Sequence, residues 1–190
     1  MLPKLLFYFM VSTALIKVGD LSFVPFISHS QILKRISEIG TLINLEYEDK
    51  NPIFVPILNG AFMFASDLLK EICVPCEVSF VKVSSYHGAE SSGDVKEIFG
   101  IQTDIKGRHV ILVEDIIDTG LTMEKLVEMF NKYKPASLSI AALFVKPESV
   151  KVELNITWCG FEIENKFIVG YGLDYNAQGR NLRDVYQLAS

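Results

Sequence analysis

Apolar residues along this chain recur with two periods. Ile32, Leu33, Ile36, Ile39 and Ile43 follow helical spacing. They predict a helix from about Gln31 to Leu45, capped by Ser28 or Ser30. Phe62, Ala65, Leu68 and Leu69 share one face of a second helix, Ala61 to Ile72, and a third runs from Leu121 to Tyr133 with Pro135 shortly past its end. Shorter apolar runs lie between them. Leu21 to Pro25 reads as a short edge strand broken by its proline. Ile53 to Leu58, Ile111 to Val113 and Leu138 to Val145 read as strands, as do Val152 to Phe161 and Phe167 to Leu173, and Glu77 to Ser84 alternates as a strand should. Strands alternating with helices predict βαβ units and a parallel sheet. His87 to Asp104 holds glycines, serines and charges without periodicity, the mark of a long functional loop, often a lid.

A chain of 190 residues has the size of one ordinary domain. With 49% hydrophobic and 22% charged residues, it can bury a core and is not a disordered chain. A net charge of −5 argues against coating nucleic acid or an anionic membrane, yet permits a local cationic pocket. Three cysteines make no disulfide framework. Cys73-Val74-Pro75-Cys76 has C-x-x-C spacing, but it follows a helix instead of opening one, so it reads as small residues buried at a helix–strand turn. His29, His87 and His109 carry no ligand spacing. Leu5 to Ile16 is almost wholly apolar between Lys4 and Lys17, but twelve residues are too few to span a bilayer. A single lysine and no small-x-small cleavage site make it a poor signal peptide. Met1 to Leu15 is open between a misplaced start and a helix packed on the domain or a partner.

The densest chemistry lies in Val110 to Thr122, V-I-L-V-E-D-I-I-D-T-G-L-T. An apolar run of the buried parallel type ends in the adjacent acids Glu114 and Asp115. Asp118, Thr119, Gly120 and Thr122 then supply a carboxylate, hydroxyls and backbone N–H groups at a helix start, the arrangement that holds phosphate. Ligands of open α/β sheets sit at this carboxyl end of the strands. Acids beside a phosphate cradle suit a sugar phosphate, with carboxylates for its hydroxyls and for a metal.

This segment resembles the 5-phosphoribosyl-1-pyrophosphate loop of type I phosphoribosyltransferases, and the E-D-I-I-D-T-G form resembles their hypoxanthine–guanine branch. The resemblance runs from about Ile16 to Leu188 and is strongest over residues 110–122 and 167–182. It implies an α/β fold: a central parallel sheet flanked by helices, with a small hood from the N- and C-terminal parts. It implies that Glu114 and Asp115 meet the ribose hydroxyls, directly or through Mg²⁺, and that Asp118 accepts the proton of the purine N7. Thr119, Gly120, Leu121 and Thr122 would hold the 5′-phosphate, Leu121 through its N–H where some relatives carry lysine. Leu58-Asn59-Gly60 matches a pyrophosphate loop that often contains a non-proline cis peptide; Asn59 stands where relatives commonly carry lysine. Ser85 and Tyr86 match the pair that leads a mobile flap over the reacting centre.

The later positions follow in the same way. Lys146 matches a lysine that donates to the purine O6, Phe167 an aromatic that stacks on the ring, and Ile168 a position offering main-chain groups to the base edge. Asp174 matches an acid that reaches Mg²⁺ mostly through water, near the purine 2-position, and Arg180 a pyrophosphate-binding arginine. The resemblance thus implies a Mg²⁺-dependent, cytoplasmic purine-salvage enzyme, commonly a dimer or tetramer. Its substrates would be hypoxanthine or guanine with 5-phosphoribosyl-1-pyrophosphate, and no nucleic-acid or membrane partner is expected. The rivals are a xanthine or pyrimidine enzyme on the same scaffold, a nucleotide- or RNA-binding regulator, and an inactive module docking through its N-terminal extension. A regulator should show a basic face and could dispense with Asp118; this chain is acidic and keeps it.

Overall fold

The computed structural model describes residues 15–85, 95–99 and 103–189, with backbone alone for 83–85 and 95–99. Tyr86 and Met1 to Ala14 lie outside the described residues. Among the described residues, eleven strands and three helices fall into a core and a hood. The core sheet has the order β6 (Val95–Phe99), β5 (Val81–Ser85), β3 (Ile53–Leu58), β7 (His109–Ile117), β8 (Ser137–Val145), β9 (Trp158–Glu162), with β4 (Glu77–Val78) also paired to β3. All its pairs are parallel except β5 with β6. The hood is an antiparallel sheet of β1 (Ile16–Val18), β2 (Leu21–Ile27), β11 (Val185–Leu188) and β10 (Ile168–Val169).

Period-two burial sorts the central strand between two layers. Ile111 and Val113 of β7 pack with α1 (His29–Glu46) and α2 (Phe62–Lys70), while Val110 and Leu112 pack with α3 (Leu121–Lys132). Helix α1 starts as the sequence suggests: Ser28 is its N-cap, and Gln31 closes a capping box.

Several expected boundaries move, each for a local reason. Strand β2 runs through Pro25 to Ile27. Beyond Phe23 it has left β1 and pairs with β11 alone, beside a register shift, so the missing N–H is tolerated. The same logic admits Pro56 to β3, where the flanking partner changes from β4 to β5. Glu77 to Ser84 is thus two short strands, not one. The expected loop at 87–104 contains β6, paired antiparallel with β5. Val152 to Thr157 is not strand; its Leu154 and Ile156 pack against the α3 side of the core without a ladder partner. Phe167 to Leu173 shrinks to β10, because Gly170, Tyr171 and Gly172 take φ of +100°, +49° and +99° and turn the chain. The C-x-x-C pair does sit at a helix–strand turn, but its thiols are free, with Cys73 exposed and Cys76 half-buried, contrary to the buried reading.

Candidate active site

Strand β7 does not stop at Val113. It runs to Ile117, so Glu114 and Asp115 lie inside the ladder instead of beyond it. The ladder to β8 skips Asp115 and resumes at Ile116–Phe144. Glu114 faces the cleft beneath α3, whereas Asp115 is buried against the β3–α2 loop. Burial, then its neighbour Asp115, pushes the Glu114 carboxyl well above the ordinary range. Burial also raises Asp115, against hydrogen bonds from Glu114 and the backbone and the nearby charge of Arg180. Two crowded, desolvated carboxyls invite a cation.

Ile117 and Val145 end adjacent parallel strands in register, and the Lys146 N–H donates to the Ile117 carbonyl at 3.0 Å. The residues that follow are therefore neighbours. Lys146 Nζ donates to Asp118 Oδ2 at 2.7 Å, with the lysine buried and the aspartate side chain 49% exposed. A buried ammonium needs such a partner. The cleft beyond them has a volume of about 120 Å³, and Asp118, Thr119, Gly120 and Thr122 are among its walls. Gly120 is the N-cap of α3 at φ +81° with no side-chain cap, so the first N–H groups of the helix stay open to a ligand. A methyl there would lie 2.8 Å from Val152 Cγ2. Leu121 is exposed beside it.

The β3–α2 loop contains the implied cis peptide, between Leu58 and Asn59. Asn59 is exposed at its tip. A Cβ on Gly60 would fall 1.7 Å from Asp115 Oδ2, and one on Gly172 2.2 Å from the Gly60 carbonyl oxygen. Only glycines let these three segments meet.

In the hood, Asp174 and Arg180 hold each other. Arg180 Nη2 bonds Asp174 Oδ1 at 2.5 Å, Arg180 Nη1 donates to the Gly172 carbonyl at 2.7 Å, and Asp174 Oδ2 accepts the Ala177 N–H at 2.7 Å. Phe167 is 42% exposed, 6.1 Å from Phe23 and edge-on to Tyr175 at 5.9 Å between ring centroids, so it is a ring with an open face. Ile168 is buried in β10. Ser85 ends β5 away from these groups in sequence, and its side chain lies outside the description. Reading the sequence missed the two ion pairs and the bond from Tyr171 to Asp67. The E-D-I-I-D and Lys146 spacings locate strand ends, but nothing linear says which ends are neighbours.

A model of the phosphoribosyl transferase domain matches residues 27–176. The chain belongs to the phosphoribosyltransferase family. Hypoxanthine phosphoribosyltransferase of Haemophilus influenzae is 44% identical over 160 residues, covering 82% of this chain and 89% of that protein. Hypoxanthine-guanine phosphoribosyltransferase of Bacillus subtilis is 42% identical over 157 residues, covering 82% and 87%. Among solved structures, hypoxanthine phosphoribosyltransferase from Trypanosoma cruzi, in complex with the product IMP, superposes with a TM-score of 0.83 at 34% identity, covering 92% of this chain and 97% of that one. This phosphoribosyltransferase therefore shares its fold, the parallel sheet with a hood, with enzymes named for hypoxanthine. Arg180 and β11 lie beyond the matched domain model.

Proposed function

We propose that this phosphoribosyltransferase joins hypoxanthine or guanine to 5-phosphoribosyl-1-pyrophosphate, giving IMP or GMP and pyrophosphate. The observation that carries the choice of base is the Lys146–Asp118 pair. A 6-oxopurine presents O6 and N7 side by side on one edge. An ammonium and a carboxylate 2.7 Å apart match that edge. Lys146 keeps two further donors for O6, and Asp118 accepts the proton at N7 as the ring nitrogen N9 attacks the anomeric carbon. Adenine offers a donor at position 6, which lysine has no lone pair to accept. Phe167 stacks on the ring, and Ile168 and Asp174 border its far edge.

Thr119, Gly120, Leu121 and Thr122 hold the 5′-phosphate by hydroxyls and helix N–H groups. Glu114 and Asp115 take the ribose hydroxyls, while Asn59, Gly60 and Arg180 face the leaving pyrophosphate. Positive charge grows on the ribose as pyrophosphate departs, and the acids beside it stabilise that change. Ser85 and Tyr86 lead the segment that closes over the centre and excludes water.

Mg²⁺ fits this donor set. The described residues contain no cage of three or more His, Cys, Asp or Glu. That is what Mg²⁺ prefers: one or two carboxylates, retained waters and substrate phosphates. Glu114 and Asp115, crowded and raised by burial, would hold it together with Asp174. When bound, the ion would neutralise charge on the departing pyrophosphate. We assign the protein to the cytoplasm and expect a dimer or tetramer. Free thiols at its described cysteines suit the reducing cytoplasm. The domain is assigned to residues 16–190. The test is a spectrophotometric assay with Mg²⁺, the pyrophosphorylated sugar and each of hypoxanthine, guanine, xanthine and adenine. Turnover of hypoxanthine or guanine is expected; turnover of adenine alone would overturn the reading.

A further inference from the structure

One buried tyrosine is bonded in a way this mechanism leaves unused. Tyr171 is wholly buried and sits at φ +49° between two glycines that also have positive φ. A bulky side chain rarely adopts that backbone unless its surroundings hold it there. Its hydroxyl donates to Asp67 Oδ2 at 2.5 Å, and the other oxygen of Asp67 accepts Lys70 Nζ at 2.7 Å. Burial works against the Asp67 charge, but the bonds from Lys70 and Tyr171 outweigh it and hold the acid below its usual range. Burial and the same bond push the phenol far above its own. The pair therefore stays phenol and carboxylate through neutral pH. The His29 ring lies 5.9 Å from the Tyr171 ring, and its Nδ1 is buried without a partner.

What the bond connects gives it a role. Asp67 belongs to α2, which begins just after the Asn59–Gly60 turn. Tyr171 precedes Gly172, whose carbonyl anchors Arg180 and whose Cα is pressed on the Gly60 carbonyl. Gly60 in turn backs onto Asp115. One hydrogen bond thus ties the hood turn to the helix that follows the 58–60 loop.

We propose that the Tyr171–Asp67 hydrogen bond is a positioning device that keeps the hood turn in register with the 58–60 loop, so that Gly60 and Arg180 address one pyrophosphate. The idea rests on the phosphoribosyltransferase reading above. Tyr171 touches no substrate in it. The O6–N7 edge of the base, held by Asp118 and Lys146 just past the ends of β7 and β8, is left out of the linkage, and Phe167 and Ile168 are set by the β10–β11 pairing that precedes the turn.

The experiment uses the full chain with Tyr171→Phe, Asp67→Asn and the double variant. Initial rates are measured against each substrate separately, with pyrophosphate binding by calorimetry. Tyr171→Phe should raise KM for the pyrophosphorylated sugar and Kd for pyrophosphate about 10- to 100-fold, the effect of one hydrogen bond to a charged group. KM for hypoxanthine should stay within about 2-fold, and the double variant should be no worse than the worse single one. Wild-type KM for the sugar, equal losses for both substrates, or additive losses would each overturn the positioning role. If Tyr171→Phe does not fold, Asp67→Asn carries the test alone, because its amide oxygen still accepts and should give a smaller loss with the same selectivity. An unmodified protein that turns over no 6-oxopurine would instead remove the enzymatic reading, and pyrophosphate binding would still judge the linkage.

Discussion

The corner at residues 114–122 and the hood turn at 167–182 hold the same kinds of group and are built by opposite means. In the corner, consecutive residues leave one strand together, and the β7–β8 ladder sets where they point. Its single long-range side-chain bond, Lys146 to Asp118, follows from adjacent strand ends. In the hood turn, positive φ angles at Gly170, Tyr171, Gly172, Asn176, Ala177 and Gly179 reverse the chain, and Asp174, Arg180 and Tyr171 are each fixed by a partner distant in sequence or across a turn. The corner is placed by backbone regularity and the turn by side-chain bonds. Mutations in the corner should therefore act on chemistry and leave the fold alone, whereas mutations in the turn should act through geometry.

The largest expected effect tests the corner. Asp118→Asn keeps the size of the side chain but removes the proton acceptor. Steady-state kinetics should show kcat lower by about 10²–10⁴-fold, with a smaller loss of melting temperature, because the amide oxygen still accepts from the buried Lys146 ammonium. Turnover like the unmodified protein would take proton acceptance away from this residue. Gly60→Ala tests the junction of the two regions. Its methyl would overlap the Asp115 carboxylate at 1.7 Å, and either the loop or the acid must shift. A displacement of about 1 Å costs about 100-fold in kcat/KM for the sugar substrate. Unchanged kinetics would mean that these segments are not seated as described.

Lys146→Ala against Arg180→Ala sharpens the contrast. The first should reduce discrimination against adenine about tenfold or more while changing pyrophosphate binding little. The second should weaken pyrophosphate binding and leave base choice alone. Competition assays with the four purines read both, and parallel losses in the two variants would contradict the division of labour.

The same contrast explains what was legible in the sequence. The three helices, the parallel strands and the phosphate loop follow from periods and from groups at a strand end, so they are local statements. The extension of β7 through Glu114 and Asp115 was hidden because polar residues interrupt the apolar run there, although the backbone ladder continues. Val152 to Thr157 misled for the converse reason: alternation records packing on a core, and it needs no hydrogen-bonded neighbour. Arg180 and Asp174 were visible as residue types but not as a pair. Tyr171 gave no signal, since a tyrosine in an apolar run reads as core until its hydroxyl finds an acid 104 residues away.

The smallest effect expected is thermal and concerns the tie between hood and core. Asp67 has a folded pKa below its ordinary value of 3.8. A carboxyl depressed in this way adds stability that is fully present above the unfolded value and disappears as pH falls through the folded one. The groups facing it are Lys70, Tyr171 and His29. Lys70 and His29 favour its charged form by their charge, and Tyr171 does so by donating a hydrogen bond. Asp67→Asn should therefore lower the melting temperature at pH 7 by about 2–4 °C, the equivalent of about 1 kcal/mol in a chain of this size. The gap from the unmodified protein should narrow as pH drops below 3.8, because the native aspartate is then losing its charge as well. Thermal scans between pH 7 and pH 3 read this directly. A gap that stays constant with pH would mean that the stabilising contact is neutral packing of the tyrosine ring, and that the carboxylate charge contributes nothing to holding the hood turn.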